Sequence, residues 1–209
     1  MEMSLPEKSM DPVYLEKAMN YTDYIKMVED LLAEGKATGH PHPGIYLHYT
    51  KMNLQRMHRL EKTLELTPAV KETIQTIDRP QIWLVLTEGW CGDAAQSMPV
   101  MRVLSKINPL IEMKVLLRDE NLALMDQYLT NGVSRSIPKL IAADKITLQE
   151  LFTWGPRPQV LQEIFYRLRE EGLPFDEIKE QLQRWYNADR TTAIQEEIAT
   201  LVAASQGPS

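Results

Sequence analysis

Residues 81–102 read Gln81-Ile82-Trp83-Leu84-Val85-Leu86-Thr87-Glu88-Gly89-Trp90-Cys91-Gly92-Asp93-Ala94-Ala95-Gln96-Ser97-Met98-Pro99-Val100-Met101-Arg102. Residues 82–86 are a short apolar run of β-branched, aromatic and leucine side chains, the pattern of a buried parallel strand. Ala94, Met98, Met101 and Leu104 then fall near the spacing of one helical face. Between strand and helix stands Trp90-Cys91-Gly92-Asp93, which carries the only cysteine of the protein. A thiol at the first turn of a helix faces unpaired backbone N–H groups and the positive end of the helix dipole. Both favour thiolate over thiol, so the position can activate sulfur. Asp93 places a negative charge two residues away and opposes this. The expectation is a solvent-accessible thiol that titrates below the free value of about 8.5, though less so than one with a basic neighbour.

The whole chain bounds what such a thiol can do. At 209 residues, one domain with additions is expected, long enough to bury a sizeable core. A net charge of −6 and a pI near 5.3 argue against a nucleic-acid partner, which needs a basic face to release counterions. A single cysteine excludes an internal disulfide and a disulfide-stapled scaffold. The N-terminal residues lack an apolar signal core, and no later window approaches a membrane span, so the reading is cytoplasmic, with no membrane partner.

Trp90-Cys91-Gly92-Asp93-Ala94 resembles the Trp-Cys-Gly-Pro-Cys active-site motif of thioredoxins. Pro99, eight residues after Cys91, matches the proline that kinks the active-site helix of that family. Gly132-Val133-Ser134-Arg135-Ser136-Ile137-Pro138 looks like the thioredoxin segment ending in Ile-Pro, which implies a cis Pro138 lying against the sulfur. The resemblance covers residues 81–169. Trp-Cys-Gly-Asp-Ala together with Arg118-Asp119-Glu120-Asn121 and Trp154-Gly155-Pro156-Arg157-Pro158 is similar to an uncharacterised bacterial branch of the thioredoxin family. It implies an α/β, thioredoxin-like fold, a central mixed sheet flanked by helices, with extra N-terminal and C-terminal helices. The departures bear on chemistry. Ala94 stands where thioredoxins carry the resolving thiol, and Val85 where they carry a buried acid. Two-thiol disulfide reduction is therefore ruled out for the isolated chain.

In order, residues 1–10 read as a disordered leader, 11–78 as an N-terminal helical extension, 79–171 as the thioredoxin-like core and 172–205 as a C-terminal helical extension. Asp11-Pro12 reads as N-cap and first-turn proline. Tyr14, Ala18, Tyr21, Ile25, Val28 and Leu32 then predict one amphipathic helix ending near Gly35. His40 and His42, each flanked by proline, read as a rigid turn with too few ligands for a metal. Thr50 is expected to cap a second helix with a basic side of Arg56, Arg59 and Lys62, and Thr67-Pro68 to open a third. Strands are expected over residues 112–118, 138–142 and 147–153, with a helix over about 121–129. Phe175, Ile178, Leu182 and Trp185, then Ile194, Ile198, Leu201 and Val202, mark two final helices whose apolar faces require burial. Packing on the N-terminal helices would bury them, and so would a homodimer interface.

By resemblance, residues 154–158 fall on the loop beside the cis-proline. There Gly155 lets a peptide backbone approach. Arg157 presents a guanidinium near Cys91, or else makes an ordinary ion pair. Arg118-Asp119 reads as a structural ion pair. Three functional classes follow. In the first, Cys91 is the nucleophile of a monothiol thiol–disulfide oxidoreductase, resolved by a low-molecular-weight thiol or exchanging with a protein disulfide. In the second, the chain is a redox-inactive module that holds an extended peptide at the cis-Pro groove. In the third, Cys91 senses peroxide through a sulfenate. In each, Trp90, Gly92, Asp93, Ile137, Pro138, Gly155 and Arg157 frame the binding groove. No cofactor and no metal is expected. The Cys-Gly-Phe-Ser motif of monothiol glutaredoxins is absent, and Glu88-Gly89 stand where a peroxiredoxin wants Thr or Ser and Pro.

Overall fold

A computed structural model describes residues 8–39 and 44–206. Most of the expected leader, and the His40–His42 turn, lie outside these residues.

The sheet is built around β2 (Gln81–Thr87), every residue of which is buried. A strand apolar on both faces needs cover on both, and that sets the layer architecture. It pairs in parallel with β3 (Ile111–Leu117), Gln81 opposite Ile111 and Thr87 opposite Leu117. On its other side it pairs antiparallel with β4 (Lys139–Asp144), Gln81 opposite Asp144 and Leu86 opposite Lys139. β5 (Glu150–Trp154) adds antiparallel to β4, and a two-residue β1 (Met19–Asn20) adds antiparallel to β3. The order is β1-β3-β2-β4-β5, a mixed five-stranded sheet flanked by helices. This is the α/β, thioredoxin-like arrangement with additional helices.

α5 (Gly92–Ile107) connects β2 to β3 and carries Pro99 inside it. A proline in a helix interior removes one hydrogen bond and bends the helix. α6 (Leu122–Met125) is a single turn, shorter than the expected helix to residue 129, and Asn121 makes no side-chain cap there; its amide donates to the Leu117 carbonyl instead, 2.8 Å away.

The N-terminal extension departs from its expected form. The predicted continuous helix is two, α1 (Val13–Lys17) and α2 (Tyr21–Ala33), separated by β1. Asn20 ends the strand and starts the helix, its side chain accepting the Asp23 N–H at 2.9 Å. Lys8 to Met10, read as the end of a leader, run along β5: the Glu150 N–H donates to the Lys8 carbonyl at 2.8 Å, the Met10 N–H to the Leu148 carbonyl at 2.9 Å, and Met10 is buried. α3 (Ile45–Thr63) begins at Gly44, so Thr50 is a buried mid-helix residue whose hydroxyl donates to the Tyr46 carbonyl at 2.7 Å, not a cap. Thr67 does cap α4 (Pro68–Gln75), accepting the Val70 N–H.

α7 (Gln159–Glu170), α8 (Phe175–Asp189) and α9 (Thr192–Ser205) follow the sheet. α9 packs against α4, β5 and α5, burying Ile194, Ile198 and Val202 within the chain. Gln195 ties it to the segment before α4, donating to the Glu65 carbonyl and accepting the Thr67 N–H. Ile178, Leu182 and Tyr186 form the buried face of α8; Phe175, expected on that face, is 63% exposed at the first turn.

Candidate functional site

The turn between β2 and α5 is shaped from below. The Gly89 N–H donates to the Thr38 hydroxyl at 2.8 Å and its carbonyl accepts from the Asn53 amide at 3.1 Å, so α3 and the segment before it fix the loop. The Cys91 N–H then donates to the Glu88 carbonyl at 3.1 Å, which turns the chain into the helix. Cys91 is the N-cap of α5, and its sulfur accepts the Ala94 N–H at 3.5 Å. On its far side the thiol donates to the Ile137 carbonyl at 3.3 Å. The Ile137–Pro138 peptide bond is cis, and so is Gly155–Pro156.

Gly155 has φ +109°, and a Cβ there would lie 2.2 Å from the Pro138 carbonyl oxygen. Only glycine lets the two backbones come this close. The buried Lys139 ammonium donates to the Gly155 carbonyl at 3.0 Å, joining the two cis segments from the other side.

Trp90 is half-buried, edge-on to Tyr46 at 5.1 Å, with the Arg118 guanidinium 5.1 Å over its ring. Arg118 also pairs with Asp119 at 2.7 Å, so the cluster read as structural forms one border of the Trp90 wall. Gly92 is exposed.

Arg157 does not point its charge at the sulfur as a free group. Its Nε and Nη2 both donate to Asp93 Oδ2, at 3.2 and 2.5 Å, and its guanidinium stacks 4.3 Å over Phe165. The other carboxylate oxygen, Oδ1, accepts from the Tyr186 hydroxyl at 2.7 Å. Both partners of the ion pair are largely buried, 11% and 14% exposed at the side chain. Burial works against the Arg157 charge, but Asp93 outweighs it and holds the guanidinium above its ordinary value. Tyr186 is a member of this cluster that sequence reading missed. It belongs to α8, 93 residues beyond Asp93, and no local pattern distinguishes it from the neighbouring Trp185.

The expectation for the thiol itself is overturned. Cys91 is 8% exposed, and burial, then the Asp93 charge, push it up to about 12. The Ala94 N–H, the Arg157 charge and the Asp93 N–H pull the other way without prevailing. The helix N-terminus does act on the sulfur, but desolvation is the larger effect. Trp90, Cys91, Ile137, Pro138, Gly155 and the Asp93–Arg157 pair therefore share one neighbourhood at the ends of β2 and β4, in which the thiol is neutral. Among the described residues no group of three or more His, Cys, Asp or Glu side chains could hold a metal ion, and no helix is long and apolar enough to cross a membrane.

The chain is similar in fold to two solved structures. One is a crystal structure of a protein of unknown function from Pseudomonas aeruginosa, 16% identical, covering 90% of this chain and 99% of that one with a TM-score of 0.55. The other is an HIV epitope-scaffold, also 16% identical, covering 89% of this chain and 99% of that one, with a TM-score of 0.53. No curated protein matches. A family model described as thioredoxin matches residues 39–171, more than half of the chain and the part that holds Cys91, Pro138 and Arg157, so the protein belongs to the thioredoxin family.

Proposed function

We propose that the protein is a recognition member of the thioredoxin family, in which Cys91 rests as a neutral thiol and the Trp90–Cys91–Pro138 groove engages an extended peptide segment of a partner. The observation that carries this reading is the state of the sulfur: buried, raised to about 12, and donating to the Ile137 carbonyl at 3.3 Å. A standing nucleophile wants the opposite, an accessible thiolate near ambient pH. Gly92, exposed beside the sulfur with open space where a side chain would stand, leaves main chain close to the groove, where an added segment can hydrogen-bond.

The second reading is monothiol exchange with an external resolving thiol. The Ala94 N–H directed at Sγ favours it, because that donor stabilises a thiolate once one forms. In that reaction Cys91 attacks one sulfur of a mixed disulfide, the other leaves as thiolate, and a second thiol releases the product from Cys91. The two readings separate by the pH dependence of iodoacetamide alkylation, combined with turnover of a small mixed disulfide in the presence of glutathione. The recognition reading expects slow labelling near neutral pH and no turnover above that of Cys91→Ser. Fast labelling with turnover that vanishes in Cys91→Ser would reverse the order of the two.

A further inference from the structure

The Asp93 carboxylate is fixed at both oxygens, and by residues from two other parts of the fold. Arg157, on the loop after β5, spends two of its donors on Oδ2, and Tyr186, on α8, spends its hydroxyl on Oδ1. A surface carboxylate two residues from a thiol would swing into water and act weakly through a high dielectric; one held in place among buried groups does not. The remaining Arg157 nitrogen, Nη1, donates to Gln162 Oε1 at 3.4 Å, so Arg157 acts on the sulfur through its charge, against that of Asp93. The titratable groups facing Cys91 are thus Asp93 from its own helix, Arg157, Tyr186 and, from α2, the buried Tyr24. Of these only Asp93 brings a negative charge in its ordinary state, and the cation among them, Arg157, is already paired with it.

We propose that Asp93, held by Arg157 and Tyr186, is the charge that adds to burial in keeping Cys91 in its unreactive thiol form, which makes helix α8 part of the site. The inference deepens the reading of Cys91 as a resting thiol and rests on it. Asp93 and Tyr186 are positioning residues in this scheme. They act on the sulfur through the field and form no bond to a substrate. The arrangement also assigns a direction to each partner. Removing the carboxylate charge releases the thiolate, whereas removing the Tyr186 hydroxyl leaves Oδ1 with more of its charge and suppresses the thiolate further.

The test is the pH–rate profile of iodoacetamide alkylation for the full chain as wild type, Asp93→Asn, Tyr186→Phe and the double variant. Asp93→Asn speeds labelling by about tenfold at a fixed pH below the thiol's titration, because the thiolate then forms at a lower pH. Tyr186→Phe slows it by a few fold, and the same change made on top of Asp93→Asn has no effect, because the hydroxyl acts through the carboxylate. Should Asp93→Asn not fold with an unpaired guanidinium, Asp93→Asn with Arg157→Gln removes both charges; labelling again accelerates, by a smaller factor. No acceleration in either Asp93 variant overturns the proposal. An equal Tyr186→Phe effect in both backgrounds, or a faster rate, removes Tyr186 from it. Rapid labelling of the wild type at neutral pH is a different failure and sinks the resting-thiol reading itself.

Discussion

On one side of Cys91 the contacts are main chain: the Ile137 carbonyl, the cis Pro138 behind it, and Gly155 against the Pro138 carbonyl. On the other side stands a cluster of charged and hydroxyl side chains, Asp93, Arg157 and Tyr186, bonded to one another and drawn from three separate parts of the chain. The main-chain side is steric. Its geometry depends on where backbones pass, and almost any change that adds atoms there is refused. The side-chain side is electrostatic, so its members can be exchanged in matched sets as long as no charge is left buried alone. A thiol between two such walls has its position fixed by one, while burial by both and the charge of the other set its protonation.

The largest expected effect lies on the steric side. Gly155→Ala puts a Cβ into the Pro138 carbonyl at a positive φ, where neither backbone can yield cheaply. It should cost more than about 3 kcal/mol by urea denaturation. A loss under about 1 kcal/mol would mean that the two segments separate easily and that the wall is not rigid.

Next comes the ion pair. Arg157→Leu leaves Asp93 largely buried without its cation and should cost about 3 kcal/mol. Arg157→Leu with Asp93→Leu should recover most of that, since a buried pair replaced by apolar residues is often near neutral. If the double variant is as unstable as the single, the cluster is structural in a way that matched exchange does not capture.

The smallest effect at neutral pH is on the thiol's own linkage, which grows only as the pH rises. A thiol raised above its unfolded value contributes stability that is fully present below about 8.5 and is lost as the pH rises toward about 12. Over that window the wild type should therefore fall in stability faster than Cys91→Ser, by a difference in slope of up to about 1.4 kcal/mol per pH unit, while the two stay within about 1 kcal/mol at neutral pH. Parallel curves above about pH 9 would show that the sulfur titrates as it does unfolded, and the electrostatic side would then be without consequence.

What the sequence made legible was local. The β2–turn–α5 unit is written in consecutive residues, with the apolar run of 82–86, Cys91 at the cap and the helical spacing after it, and it appears as read. The N-terminal helix misled because the four–three spacing from Tyr14 to Leu32 continues across the break. What interrupts it is pairing: Met19 and Asn20 lie opposite Val115 and Lys114 at the sheet edge, a tertiary demand invisible in the period. Asn20 three residues before Asp23 was the one available signal, a cap inside an apparently continuous helix. The thiol's protonation failed for a related reason. Dipole and neighbouring charge can be counted from the sequence, but desolvation depends on what is packed over the sulfur. Tyr186 was out of reach altogether, since only the folded chain brings it to Asp93.

One further contact places a limit on how the protein can be divided. Glu197 of α9 accepts the Trp154 indole N–H and the Gln159 N–H, both at 2.7 Å, and so brackets the loop that presents Gly155 and Arg157. A chain ending at Glu171 would retain β1 to β5, the cysteine and both cis-prolines, yet lose this clamp together with Tyr186. Sheet and chemistry thus have different outlines in this molecule, and the smallest fragment that could serve as a faithful stand-in for the site extends into the last helix.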